Sequence, residues 1–412
     1  MPKKVRHLNP RTKTLYSFLK NLKRMVNYYE ESLQLHKKMQ GKLKVESKVP
    51  LKTKHDLSLA YTPGVAEPCR EIFKNPDAVY DLTLKHNSVA VISDGSAVLG
   101  LGNIGAAAAL PVMEGKCILF KEFADIDAFP ICLASQDIEL TVETVKNIAP
   151  VFGGINLEDF KAPECFEVES RLQDLGIPVM HDDQHGTAVV VLAGVMNALK
   201  VVNKKIQAIR VVLQGAGAAG TAITKLLLTS GVSPKNIVLC DSKGILYEGR
   251  LSLDANKQEL VRITNTNKQQ GSLADALKGA DLFIGVSVKN LVSREMVKSM
   301  NAHPIIFAMA NPDPEILPED AHAAGAAVVA TGRSDYPNQV NNVLAFPGIF
   351  RGALDSRASK ITEQMKLAAV NALANLVKIP TKDMILPNPL DKSVVPAVAA
   401  AVAKAWKTSH LI

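Results

Sequence analysis

Several things are scarce or missing in this chain. Nowhere do about 18 apolar residues follow one another without a charge, the length a membrane-crossing helix needs, so no membrane span is expected in its 412 residues. Cysteine is scarce. Cys69, Cys117, Cys132, Cys165 and Cys240 are scattered, odd in number and without a CxxC. That argues against a disulfide framework or a zinc knuckle and fits the reducing cytoplasm. There is no internal repeat and no low-complexity linker. Acidic residues are missing from residues 1–29, which carry Lys3, Lys4, Arg6, Arg11, Lys13, Lys20, Lys23 and Arg24. Setting these eight aside leaves 40 of the 48 basic residues against 40 acidic ones. The net charge of +8 therefore belongs to the N-terminal head. The neutral remainder implies no polyanion-binding surface and no nucleic-acid partner.

With 47% hydrophobic and 21% charged residues, the chain has the make-up of an ordinary globular protein long enough for two domains or three. In the basic head, Leu15, Phe18, Leu19, Leu22, Met25 and Val26 share one helical face. A targeting segment to an organelle matrix, a surface helix, or an upstream extension ahead of a start at Met25 would each look like this. From 27 to 54 the pattern is helical with mixed charge. Residues 56–69 read as a loop in which Tyr61 precedes the turn Thr62-Pro63-Gly64. Tyr61 there serves either packing or chemistry.

Thereafter strands and helices alternate. The strand candidates are 88–92, 117–120, 129–133, 155–160, 178–180, 209–213, 236–240, 281–287, 304–309 and 326–331. The helices are 186–200 and 217–230, with Ala-rich helical stretches at 357–379 and 394–406. This alternation predicts parallel sheets covered on both faces. The fold class is α/β: an N-terminal α/β substrate domain (30–185, after the extension 1–29) and a C-terminal Rossmann-like, doubly wound parallel sheet domain (186–412). The seam is placed at the loop around His185.

Two glycine clusters match the same expression. Gly215-Ala216-Gly217-Ala218-Ala219-Gly220 follows a strand and opens a helix, and the next strand ends in Asp241, 21 residues after Gly220. That is the full dinucleotide-binding context: glycines admit the pyrophosphate to a helix N-terminus, and the acid faces the ribose hydroxyls. Gly100, Gly102 and Gly105 have Asp125 at similar spacing, but Asp94-Gly95-Ser96 interrupts the approach and Pro111 should end the helix early. This second cluster reads as a turn that positions the following helix and Lys116 against substrate.

Two acidic pairs stand at strand ends: Glu158-Asp159, and Asp182-Asp183 in the stretch 178–194. Taken alone, Asp182-Asp183 reads equally as a helix N-cap or as part of a site. Together the two pairs supply three or four oxygen ligands, a set suited to Mg2+ or Mn2+. His181 and His185 are four apart, but the residue after the first is Asp182 where a zinc-protease helix needs Glu. Asn311, Asn341 and Asn342 also follow apolar strands and serve as loop caps or carboxylate-binding amides.

With these segments in view, the chain resembles the malic enzymes, in their short bacterial-type branch. The segments that carry the likeness are Ala60–Ala66, Ser93–Gly95 with Gly100–Gly105 and Gly115-Lys116, Leu157–Phe160, His181–Thr187, Gly215–Gly220, Phe307–Pro312 and Asn341–Gly348. The resemblance implies Tyr61 as the acid that protonates the enolpyruvate carbon. It implies Lys116 as the base toward the malate hydroxyl, with Asp182 as its helper. Glu158, Asp159 and Asp183 would be the metal ligands, and Asn311 and Asn342 would contact substrate and nicotinamide. Gly215, Gly217, Ala218, Ala219, Gly220, Asp241 and Ser242 would hold NAD or NADP. One departure is Ala97, where the larger eukaryotic-type enzymes carry an Arg.

The expected reaction is oxidative decarboxylation of L-malate to pyruvate and CO2. The alternatives are a malolactic conversion to lactate with retained cofactor, or a catalytically idle dinucleotide-sensing scaffold. Asp241 favours NAD, while Ser242, Lys243 and Lys257 leave NADP open. The resemblance further implies a homo-oligomer, a dimer or a multiple of one.

Overall fold

A computed structural model describes residues 28–98 and 100–409. The apolar face expected over residues 15–26 lies outside the described residues. The chain forms two units, residues 1–46 and 47–412. In the first, the helix Tyr28–Met39 has Glu30 and Glu31 in its first turn and His36, Lys37 and Lys38 in its last, an order that complements the helix dipole. It buries none of its residues. Of the helical pattern read over 27–54, residues 28–39 are helical, 40–53 are not, and Lys54 opens the next helix.

The second unit holds two sheets. In the first, β1 (Ser88–Ser93), β2 (Asp127–Cys132), β3 (Gly154–Leu157) and β4 (Val179–His181) run parallel in the order β2-β1-β3-β4. The run Ser-Val-Ala-Val-Ile-Ser of β1 is buried throughout. Such a run suits a parallel strand covered on both faces. The second sheet has the order β10-β9-β8-β5-β6-β7. It comprises β5 (Val211–Gln214), β6 (Ile237–Asp241), β7 (Gly244–Ile245), β8 (Leu282–Gly285), β9 (Ile305–Ala308) and β10 (Val328–Thr331). Only β7 pairs antiparallel.

Both sheets start in the middle and then reverse direction across themselves. The chain leaves β1 for β2 on one side and returns to β3 on the other. It likewise leaves β5 for β6 and returns to β8. In open α/β sheets ligands bind at such reversals, beyond the carboxyl ends of the strands.

Three sequence expectations are corrected. Residues 117–120 are not a strand but part of the fourth and fifth turns of the helix Gly105–Ala124, and Pro111 does not end that helix. A short apolar run cannot be told from a buried helical segment by periodicity. An interior Pro costs about 3 kcal/mol. Burying Met113 and Phe120 offsets this at roughly 1.5–3 kcal/mol each. The third correction is at 56–69, which is not all loop. The helices Lys54–Ala60 and Ala66–Lys74 flank a turn at Tyr61–Val65.

The helix Asp182–Val201 begins directly after β4 and is buried along most of its length, as its apolar sequence requires. It packs against the helices Ala218–Thr229 and Glu363–Leu376. One hydrophobic cluster runs from Val89 and Phe120 through Val190 to Val211, Phe307 and Trp406, so side chains from both sheets share a core.

Candidate active site

β3 and β4 are neighbours, with Leu157 opposite His181. Each strand ends in an acidic pair at the next position, so Glu158-Asp159 and Asp182-Asp183 emerge side by side. The amide of Asp159 donates to Asp183 Oδ2 at 2.8 Å. Glu158, Asp159 and Asp183 each offer an oxygen, and these lie within 4.8 Å of one another. Asp159 adopts a left-handed backbone (φ 57°), an uncommon state for a non-glycine residue and one that clusters at functional sites. Its carbonyl accepts from the amide of Ala97 at 2.9 Å, which ties it to the loop after β1.

Lys116 reaches this cluster from the Gly105–Ala124 helix. It is 7% exposed. Its Nζ lies 2.7 Å from Glu158 Oε1 and 2.6 Å from Asp182 Oδ2. It also sits over the Phe346 ring, 4.3 Å from the centroid. Asn342 donates to the same Asp182 Oδ2 at 2.6 Å, and Asn156 donates to Glu158 Oε2 at 2.9 Å. Gly186 makes room for this arrangement. A Cβ there would lie 1.7 Å from Asp182 Oδ1.

Four carboxylates face one ammonium, and the excess negative charge governs the protons. Burial raises Glu158 well above the usual carboxylate range, against the pull of Lys116. Burial pushes Asp182 up to about 6, again opposed by Lys116. Burial alone would depress Lys116, but Asp182, Glu158 and Asp183 outweigh it and hold the ammonium above its ordinary value.

The donor set fits a hard divalent cation. The oxygens are carboxylates, they converge, and Asp182 Oδ1 is buried with no hydrogen-bond partner among the described residues. The zinc reading of His181 and His185 finds no support. Among the described residues no histidine belongs to the converging group.

The dinucleotide fingerprint lies at the end of β5. Gly215 has φ +110°, and a Cβ there would meet the Val286 carbonyl at 2.7 Å. A Cβ on Gly220 would lie 1.9 Å from the Gly215 carbonyl, so only glycine permits this helix to approach its strand. Gly217 faces open space and precedes the helix that contains Ala218, Ala219 and Gly220, whose N-terminus has no side-chain cap. Bare N–H groups beside open space form an anion cradle. Asp241 ends β6, with Ser242 exposed beside it. Its carboxylate is already engaged: Arg250 Nη2 binds both oxygens at 2.7 and 2.9 Å, and the Lys243 amide adds a bond at 2.8 Å.

The structure joins Lys116, Glu158, Asp159, Asp182, Asp183 and Asn342 in one cluster. It does not bring Tyr61 into that cluster, since its side chain is 67% exposed. Asn311 is exposed on the loop after β9, and its carbonyl lies 3.4 Å from where a Gly100 Cβ would stand. The Gly100 cluster is thus a turn against the Asn311 loop. Sequence reasoning missed Asn156, Arg250 and Gly186. Only Gly186 left a signal, being a glycine in the second turn of a helix that runs on as an apolar segment.

Residues 40–173 match the family model described as "Malic enzyme, N-terminal domain", and residues 184–407 match "Malic enzyme, NAD binding domain". The chain belongs to the malic enzyme family. It is accordingly an oxidoreductase of the decarboxylating, NAD- or NADP-dependent kind. Among malic enzymes, it is 60% identical to the bifunctional malic/malolactic enzyme of Bacillus subtilis, over 91% of this chain and 92% of that protein. It is 54% identical to the NAD-dependent malic enzyme of Geobacillus stearothermophilus, over 93% and 80% respectively. Other relatives bear the name NADP-dependent malic enzyme. The crystal structure of the NAD-dependent malic enzyme from Thermotoga maritima superimposes with a TM-score of 0.88 at 52% identity, covering 90% of this chain and 98% of that one.

Proposed function

We propose that this malic enzyme oxidises L-malate at Lys116 and releases pyruvate and CO2, with residues 30–185 supplying most of the chemistry and 186–412 holding the dinucleotide. The observation that carries this reading is the buried ammonium of Lys116, bonded to Asp182 and Glu158 beside three converging carboxylate oxygens. Glu158, Asp159 and Asp183 would hold Mg2+ or Mn2+, which when bound supplies Lewis-acid polarisation and stabilises enolate charge. NAD or NADP, seated on Gly215–Gly220, supplies the hydride acceptor.

The chain's own residues move the protons. Lys116 must be a free amine to accept the malate hydroxyl proton. The surrounding acids hold the Lys116 proton; with their charge offset by a divalent cation on Glu158, Asp159 and Asp183, the ammonium proton can pass to Asp182 along the 2.6 Å hydrogen bond between them. Asn342 keeps Asp182 in place. Tyr61 is assigned the final protonation of C3 on the family motif. Asn311 and Asn342 are assigned to substrate and nicotinamide.

NAD and NADP are both admitted in this reading. Arg250 neutralises Asp241, which weakens the repulsion a 2′-phosphate would meet from a bare carboxylate. A homo-oligomer is supported by the exposed apolar side chains Leu57, Leu59, Val65 and Phe73 around Tyr61. Cytoplasmic residence is supported by the cysteines, all free. Among the described residues no helix is long and apolar enough to cross a membrane.

The test is steady-state turnover of L-malate with NAD and with NADP, with and without Mn2+, with the products assayed. Pyruvate formed together with reduced cofactor supports the proposal. The name of the Bacillus subtilis relative favours a second reading, malolactic conversion. Lactate without net cofactor reduction would establish that one instead.

A further inference from the structure

Glu169 is a buried carboxylate with no place in the chemistry above. It lies on the helix Glu164–Arg171, between β3 and β4, and is 9% exposed. Burying a carboxylate is costly unless donors compensate it. Three donors in a single five-residue stretch do so. The amide of His181 donates to Oε1 at 2.9 Å, Gln184 Nε2 to Oε2 at 3.1 Å, and His185 Nε2 to Oε2 at 3.0 Å. That stretch, 181–185, contains Asp182 and Asp183.

The far side of the His185 ring is also held. Lys366 Nζ lies 3.0 Å from His185 Nδ1 and 2.7 Å from Glu363 Oε1. An ammonium can only donate, so Nδ1 accepts and the proton of a neutral ring sits on Nε2, facing Glu169. Lys366 is itself buried, at 7% exposure. The chain of contacts therefore runs Glu363, Lys366, His185, Glu169 and ends at the turn that carries two site carboxylates. That turn has no cap of its own: His181, at the N-cap position, makes no side-chain capping bond. A carboxylate brought in from another helix takes over the task of fixing it.

We propose that Glu169 is a positioning residue for the divalent cation: it fixes the first turn of the Asp182–Val201 helix so that Asp183 meets Glu158 and Asp159, with His185 and Lys366 holding Glu169 in its bonding geometry. This rests on the metal reading of the three acids. Glu169 itself touches neither Lys116 nor the converging oxygens.

The experiment measures Mn2+ binding to the full chain by the electron paramagnetic resonance of free Mn2+. The proteins are wild type, Asp183→Ala, Glu169→Gln and Lys366→Met. NADH binding without metal is followed by fluorescence, and thermal melts are recorded alongside. Groups that orient ligating side chains are worth on the order of 10- to 100-fold in metal affinity. Glu169→Gln turns one acceptor into a donor that faces donors. It should weaken Mn2+ by that factor, leave NADH affinity as in wild type, and recover turnover at saturating Mn2+. Lys366→Met should weaken Mn2+ in the same direction by a smaller factor.

Wild-type Mn2+ affinity in Glu169→Gln, with the site lost in Asp183→Ala, would overturn the inference while leaving the metal reading intact. Equal losses of Mn2+ and NADH binding would reduce Glu169 to a fold residue and overturn it too. A wild-type protein with no Mn2+ site that Asp183→Ala removes would defeat the metal reading and this inference together. If Glu169→Gln does not fold, Lys366→Met decides: unchanged Mn2+ affinity there also overturns the inference.

Discussion

In the proposed mechanism, Lys116 is the residue on which malate oxidation turns. Its ammonium is held by Asp182 and Glu158, so replacement by Ala removes the base and leaves two buried carboxylates facing each other. A positioned base contributes typically 10²–10⁴-fold. Lys116→Ala should lower malate oxidation by about that factor in a kcat assay while NADH still binds; unchanged oxidation would remove Lys116 as the base. Gly186 makes a sharper test of geometry, because it takes no part in the chemistry. Gly186→Ala places a methyl 1.7 Å from Asp182 Oδ1, and that carboxylate must move. A displacement of about 1 Å at a reacting group costs on the order of 100-fold. The variant should lose kcat at that scale with its dinucleotide affinity retained. At this scale the sequence was legible where neighbours in the chain are also neighbours in space. Glu158-Asp159 and Asp182-Asp183 announce themselves as adjacent acids at strand ends. Asn156, Arg250 and Glu169 are not legible in this way. Each acts across a fold-dependent distance on a partner that nothing in its own surroundings names.

The elements were legible where their period is long or their boundaries are marked. The glycines at 215–220 open a helix as their spacing requires, and the acid at 241 closes the next strand. Residues 117–120 were misread as a strand because four apolar residues look alike in either state. Pro111 misled in the same direction. The helix survives it because Ala109, Met113, Cys117 and Phe120 bury one whole face. Element junctions also depend on single polar residues. Asn197 is fully buried in the Asp182–Val201 helix, and its Nδ2 donates to the carbonyls of Ala374 and Ile385, each at 3.0 Å. Asn197→Ala leaves both carbonyls buried and unsatisfied, at about 1–3 kcal/mol each. Urea unfolding should show a stability loss of that order. A variant as stable as wild type would mean that water or backbone movement satisfies them.

On the scale of the whole molecule, sequence reasoning divided the chain at His185, a position within the first turn of the Asp182–Val201 helix. The hydrophobic cluster that joins the two sheets left no trace in local patterns, since it is made of residues hundreds of positions apart. A shared core predicts shared unfolding. Trp406, the single tryptophan, is buried in that cluster and reports on it directly. Its fluorescence and the far-ultraviolet circular dichroism should give one coincident urea transition. Two separated midpoints would show that the sheets unfold apart. The Asp182–Val201 helix has one more consequence. Its first turn carries Asp183, and its body packs against the helix that opens at the dinucleotide glycines. A single helix of 20 residues therefore carries the proposed cation ligand Asp183 at one end and has the nucleotide fold along its flank. Linkage makes any effect along that helix mutual: whatever factor a bound cation gives the dinucleotide's affinity, the dinucleotide returns to the cation's.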